Sequence, residues 1–376
     1  MADHAKLSPS AAERWFTCPG SMVLSAGIPN RSSAHAEEGT FAHGVAEQIL
    51  KGGQPTCEPE MLRHVKVYTD YVDELFRDGD VRAIEKRVEV LPGVWGTADA
   101  IVWQEKTRTL HIVDLKYGTG VAVEVSNNLQ LKIYALAALK TMKLNAKLVV
   151  ATIVQPRLPH PDGLIRSKEF DVVDLIEFHA DLVEAVEEVE DCAKVRSTFS
   201  EDAWAGMFLR PSEKACRWCL AAPTCPKLKD KAQQMAKLVF APTANQVCDY
   251  AKLSEALDFA PIIEGWAKNV REFAYAEAER GAVIPGYKLV EKRATRKWKE
   301  DVSPDALAEA TGIDADELVE TKLISPASVE KLLPKAERAV LETLTSKESS
   351  GHTLVHESDK RDPIRVDAKA AFAAFV

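Results

Sequence analysis

The chain has 376 residues, 46% hydrophobic and 28% charged, which is an ordinary globular balance and long enough for two domains. No apolar run approaches the length of a membrane span, and the first thirty residues lack the basic start, apolar stretch and small-residue cleavage site of a secretory signal, so a cytoplasmic protein is expected. Seven cysteines without such a signal argue against a disulfide framework and for metal or free thiols, and a net charge of −9 argues against a uniformly basic nucleic-acid binder.

Ser8-Pro9-Ser10 before Ala11 to Phe16 predicts an N-cap and a first helix, with Glu13 at capping-box spacing from Ser10. That helix should stop near Cys18-Pro19-Gly20, and residues 21–33 read as loop. Helices are expected from Ala34 to Leu50, ended by Gly52-Gly53, and from Glu60 to Phe76. The periodicity then changes to two. Residues 83–91, 94–104 and 110–116 form a predicted three-strand meander, turned at Pro92-Gly93 and at 105–108. A helix over 127–139, an apolar β-branched strand over 147–154, a strand over 164–170 and an acidic amphipathic helix over 174–196 follow. The order is that of a mixed α/β core.

The charge is unevenly spread. Residues 169–202 hold twelve Asp/Glu and two Lys/Arg, 207–237 hold seven Lys/Arg and two Asp/Glu, and 286–300 hold six and two. A basic face can therefore coexist with an acidic helix. Beyond Pro242 the sequence is mainly helical, with a long helix over 253–280 ended by Gly281, a short hairpin over 285–298, short helices over 303–311 and 325–345, and a polar, turn-rich stretch over 346–362. Two domains are expected, 1–238 and 239–376, the second open to a protein partner.

The chemistry converges on Asp114-Leu115-Lys116. Alternation along a strand puts both charges on one face. A carboxylate holds a divalent cation, and a neighbouring lysine stabilises charge or positions water in phosphodiester hydrolysis. The tripeptide alone reads first as a surface ion pair on an edge strand, and the case depends on what converges on it. If the strands pair through the 105–108 turn, partners sum to about 213, which sets Asp99 beside Asp114, able to share Mg²⁺ or Mn²⁺ with the Leu115 carbonyl. His43 and Glu47 share a helix face, as do Gln130 and Tyr134.

The series His43-x-x-x-Glu47, Gly96-x-x-Asp99, Asp114-x-Lys116 and Gln130-x-x-x-Tyr134 resembles the RecB-type branch of the PD-(D/E)xK nucleases over residues 8–230. The resemblance implies a restriction-endonuclease-like core acting on DNA. It implies His43, Asp99, Asp114 and the Leu115 carbonyl as metal ligands, Glu47 as an active-site carboxylate, Lys116 as catalytic, and Gln130 and Tyr134 as substrate supports. The residue before Asp99 is Ala98 where the superfamily's name has proline. The layout also resembles phage-encoded RecB-like proteins with a helical extension, which implies a bacterial host cell and a role in replication or recombination. A competing reading is a DNA-binding or assembly subunit that keeps the nuclease fold as scaffold.

Cys216-x-x-Cys219-x5-Cys225 has metal-chelate spacing, and Cys18 is the best fourth ligand. One cysteine near the N-terminus and three after the core resembles the iron–sulfur nucleases of the same branch, which implies a [4Fe–4S] cluster and exonuclease action. A structural Zn²⁺ or free thiols are the alternatives. Arg217 and Trp218, with Arg210, Lys214, Lys227, Lys229 and Lys231, form a candidate DNA-tracking surface, and a solvated basic face is the competing view. The run Lys288 to Lys299 is a second basic candidate.

Overall fold

Five strands form a single mixed sheet in the order β1-β2-β3-β4-β5, as seen in a computed structural model that describes residues 5–29, 34–240 and 250–288. The strands are β1 (Val81–Leu91), β2 (Val94–Gln104), β3 (Thr109–Leu115), β4 (Leu148–Val154) and β5 (Ile165–Asp171). The first three are an antiparallel meander, as expected. β2 and β3 pair from Gln104↔Thr109 to Ala100↔Val113, each pair summing to the predicted 213. β3 then runs parallel to β4, and a parallel pair needs a crossover, supplied here by α5 (Leu129–Thr141). All seven residues of β3 are buried, the pattern of a strand covered on both faces.

Helical layers cover the two faces. On one, Ile101, Trp103, Leu110, Ile112, Val149 and Ile153 pack against α1 (Ala12–Thr17), α5 and α6 (Val172–Lys194). On the other, Ala100, Val102, Val113 and Leu115 pack against α3 (Ala34–Leu50) and α4 (Pro59–Leu75). The alternation of β2 slips once. Ala98 and Ile101 face the same layer although three residues apart, and on β1 so do Ala83 and Val88, five apart. Regular strands would place such pairs on opposite faces. Both slips fall where the β1–β2 ladder skips Glu85 and Asp99 between Ile84↔Ala100 and Lys86↔Ala98.

Two local expectations are corrected. The Ser10–Glu13 capping box does not form, because Pro9, with its preset φ, starts a 3₁₀ turn over Pro9–Ala11 and draws Ser10 inside it, where its hydroxyl meets Ser8 Oγ at 3.3 Å. Residues 21–33 are not all loop, since Gly20–Ser25 forms α2. A Cβ on Gly20 would lie 2.6 Å from Leu209 Cδ2 and 2.9 Å from the Phe208 carbonyl, so only glycine lets α2 press on the end of α7 (Glu201–Phe208).

The chain continues through α8 (Glu213–Arg217), a 3₁₀ turn at Ala222–Thr224, α9 (Pro226–Phe240) and α10 (Tyr250–Glu279), which ends before Gly281 at φ +91°. Side chains cap α5, α6, α7 and α8, from Asn128, Asp171, Ser200 and Ser212 respectively. Met1–Val290 forms one compact unit and Glu291–Val376 another. α10 packs on α8, α9 and the 3₁₀ turn, so it belongs with the first unit although it lies past residue 238. The expected helices over 303–311 and 325–345, the stretch 346–362, most of the hairpin over 285–298 and Cys248 lie outside the described residues. Among those described, no helix is long and apolar enough to cross a membrane.

Candidate active site

Asp114 stands one residue before the end of β3, only 2% exposed. Its Oδ2 lies 2.8 Å from Lys116 Nζ, and its Oδ1 accepts from Gln130 Nε2 at 2.8 Å. Lys116 Nζ donates in turn to Gln130 Oε1 at 3.0 Å. Gln130 sits in the first turn of α5, immediately after the crossover begins, so strand and helix together close a three-residue ring. Tyr134, one turn further along, is also buried and packs against Gly96, where a Cβ would lie 3.0 Å from its ring and 2.9 Å from Pro9. The glycine of Gly96-x-x-Asp99 thus makes room for the tyrosine.

Asp99 continues the arrangement across the meander. Past Ala100↔Val113 the backbone ladder stops, and Asp99 Oδ2 accepts the Leu115 N–H at 2.7 Å. Its Oδ1 lies 3.4 Å from His43 Nδ1, delivered by α3. Glu85 Oε1 lies 3.9 Å from the same nitrogen. Ligand atoms of His43, Glu85 and Asp99 all fall within 4.8 Å of one another.

The charges are strained in a consistent sense. Burial drives the Asp114 carboxyl upward, Lys116 opposes it and Asp99 adds to it, for a value pushed up to about 6. Burial disfavours the Lys116 ammonium, but Asp114 holds its pKa above the ordinary lysine value. Burial disfavours the His43 imidazolium too, yet hydrogen bonds to Asp99 and Glu85 and the charge of Asp114 outweigh it, and the ring is pushed up to about 10. Burial and the carboxylates raise the Tyr134 phenol, against a hydrogen bond from Gln130, so it stays protonated. Three carboxylates facing one lysine and one histidine favour an added cation. Tyr68 on α4 is 1% exposed, its hydroxyl finds no hydrogen-bond partner among the described residues, and burial with Asp99, Asp114 and Glu85 raises its pKa.

Of the sequence-predicted residues, His43, Asp99, Asp114, Lys116, Gln130 and Tyr134 come together around the Leu115 backbone. Glu47 does not join them. A four-residue step carries it about 6 Å along α3, where it pairs with Lys51 at the next turn. Glu85 takes the carboxylate place beside His43 and was not singled out. A two-residue turn at Pro92-Gly93 pairs Leu91 with Val94, a sum of 185 that would set Lys86 opposite Asp99. A register shift between Glu89 and Leu91 lowers the sum to 184 along the rest of β1–β2 and brings Glu85 opposite Asp99, so the turn alone carries no signal for it.

Cys18, Cys216, Cys219 and Cys225 line one apolar cavity with Leu24, Leu209 and Leu228, and none is in a disulfide. The Arg210 N–H donates to Cys18 Sγ at 3.3 Å. Burial raises the Cys216 thiol, a backbone hydrogen bond opposes this and the neighbouring thiols add to it, for a value of about 12. Cys57 lies elsewhere, against the α3–α4 layer, and Cys192 is fully buried beside the cavity. Arg217 and Trp218 belong to this end of the molecule and not to the Asp114 site. Arg217 pairs with Glu213, and Trp218 is 74% exposed with its carbonyl accepting from Arg14.

Fold and site together define a mixed α/β domain with a buried carboxylate–lysine centre where the sheet's middle strands end. The family model described as DUF2800, protein of unknown function, matches residues 4–362, and the chain belongs to that family. Among solved structures it is similar to an alkaline exonuclease, LHK-Exo, from Laribacter hongkongensis, with 12% identity, TM-score 0.24, and 52% of this chain and 94% of that one covered. The complex of LHK-Exo with dAMP matches at 13% identity and TM-score 0.23, covering 50% and 97%. SSO0001 matches at 13% identity and TM-score 0.27, covering 60% and 88%. At such identities and scores these likenesses assign no activity.

Proposed function

We propose that residues 1–238 are a metal-dependent deoxyribonuclease of the PD-(D/E)xK type that hydrolyses phosphodiester bonds, as an exonuclease by preference, in DNA replication, recombination or repair in a phage-infected bacterial host cell. The observation that carries the reading is the buried Asp114 held 2.8 Å from Lys116, with Asp99 and His43 beside it. A buried charged set of this kind is costly to a scaffold that has no use for it.

His43, Asp99, Asp114 and the Leu115 carbonyl would hold Mg²⁺ or Mn²⁺, and oxygen donors with one imidazole suit either ion. When bound, the ion supplies a Lewis acid and an activated water. Lys116 keeps its proton and directs Nζ at the water or at the charge growing on phosphorus. Gln130 bridges Asp114 and Lys116 and fixes both against rotation. Tyr134, kept as a neutral phenol, is a donor for substrate phosphate. Arg217 and Trp218 would guide the DNA strand, and residues 239–376 would engage a protein partner.

The four cysteines are proposed to hold a [4Fe–4S] cluster, with Zn²⁺ as the alternative. Among the described residues only the His43, Glu85 and Asp99 group brings three ligand atoms within 4.8 Å of one another, so no three of the four thiols lie mutually that close. Zinc–sulfur bonds of about 2.3 Å need thiolates roughly 4 Å apart. A cubane, ligated at its separate corners, accepts wider spacing.

The test is release of nucleotides from end-labelled DNA with Mg²⁺ or Mn²⁺. Cleavage by the wild type and its loss in Lys116→Ala, with circular dichroism unchanged, is the expected result. A well-folded wild type that cleaves neither single-stranded nor duplex DNA would favour the scaffold reading instead.

A further inference from the structure

We propose that Glu85 is a ligand of the divalent cation, completing with His43 and Asp99 a site that the motif series leaves one carboxylate short. The proposal rests on the reading of this centre as a cation site. It starts from the backbone. Glu85 is opposite Asp99 in the β1–β2 register, yet neither takes part in the ladder, and both strands change facing at this pair. Glu85 adopts φ +50°, a left-handed conformation unfavourable for any side-chain-bearing residue. A strand bulged at one residue re-aims that residue's side chain. Here the result brings two carboxylates from neighbouring strands to a single imidazole of the overlying helix, with ligand atoms within 4.8 Å.

A structural ion pair with His43 would explain part of this, but it does not explain Tyr68. Its hydroxyl is buried, has no acceptor among the described residues, and shares its surroundings with Asp99, Asp114 and Glu85. A buried donor left unmatched beside clustered carboxylates is accounted for by a cation's coordinated water. The set is also chemically mixed, one imidazole with hard oxygens, which suits Mn²⁺ as well as Mg²⁺.

The test is Mn²⁺ titration of the full-length protein by electron paramagnetic resonance, with no DNA present. Glu85→Gln and Glu85→Gly should each weaken Mn²⁺ binding tenfold or more, while Glu169→Gln, an exposed change on β5, should not. Glycine relieves the left-handed backbone, so metal-free Glu85→Gly should melt no lower than wild type and yet lose most of the Mn²⁺-induced rise in melting temperature. Wild-type Mn²⁺ affinity in either Glu85 variant would overturn the proposal. Tight Mn²⁺ binding by wild type without DNA cleavage would remove the nuclease reading and leave Glu85 a ligand. Cleavage with unweakened Mn²⁺ binding in the variants would do the reverse.

Discussion

The carboxylate centre and the cysteine cavity are built in opposite ways. The first is polar, and its side chains, His43 on α3, Glu85 on β1, Asp99 on β2, Asp114 on β3, Lys116 just after it, and Gln130 and Tyr134 on α5, all come from the one stretch between His43 and Tyr134. The second is apolar in its walls and joins Cys18 to residues 216–225, with the whole sheet between them in sequence. Register and crossover fix one, and closure of the chain fixes the other. A site fixed by register fails by losing chemistry while the fold stands. A site fixed by closure fails by letting the chain ends part.

The sharpest break of this contrast is Lys116→Ala. Removing a preorganised charge should lower cleavage about 10²–10³-fold, read from single-turnover kinetics, with the melting temperature nearly unchanged. Cys216→Ser should do the converse. Loss of the proposed metal should lower the melting temperature by on the order of 10 °C and open the segment between α7 and α9 to limited proteolysis, and iron and zinc analysis of wild type and variant should report the difference. Gly20→Ala tests closure without touching a thiol. Its Cβ meets the Phe208 carbonyl and Leu209, so overpacking should cost about 1–3 kcal/mol, measured by denaturant unfolding. The smallest effect is expected from Arg217→Ala, whose guanidinium already pairs with Glu213. It should reduce the salt dependence of single-strand binding by roughly 0.7 in slope, measured by fluorescence anisotropy, and leave cleavage at saturating DNA intact.

Much of the first centre was legible because strand pairing obeys arithmetic. One turn at 105–108 set the sum of 213, and the sum put Asp99 beside β3 before any coordinates. The same arithmetic on the preceding hairpin points one residue off, to Lys86, because a register shift between Glu89 and Leu91 separates the turn from the rest of the ladder, and Glu85 in the charged run Glu85-Lys86-Arg87 looks like part of a solvated strand face. Only the skipped pair and the left-handed backbone distinguish it. Glu47 misled for the complementary reason. Four-residue spacing establishes a common helix face, but not whether the next turn still overlies the sheet, and Lys51 was available to take the carboxylate. The helix at Gly20–Ser25 was hidden because its stability is tertiary, given by α7 and the cavity wall, and no short local sequence carries that information.

The closing contact also has a consequence in time. The Arg210 N–H that binds Cys18 Sγ is 192 residues downstream of it. At synthesis rates of about 5–20 residues per second, roughly 10–40 s separate the two on the ribosome. Throughout that interval the Cys18 thiol has no cavity to enter, and α2 has no α7 to press against. The nascent chain therefore carries one of its four cavity thiols without its cavity while the sheet forms, and the proposed metal could enter only after the last of the four has emerged.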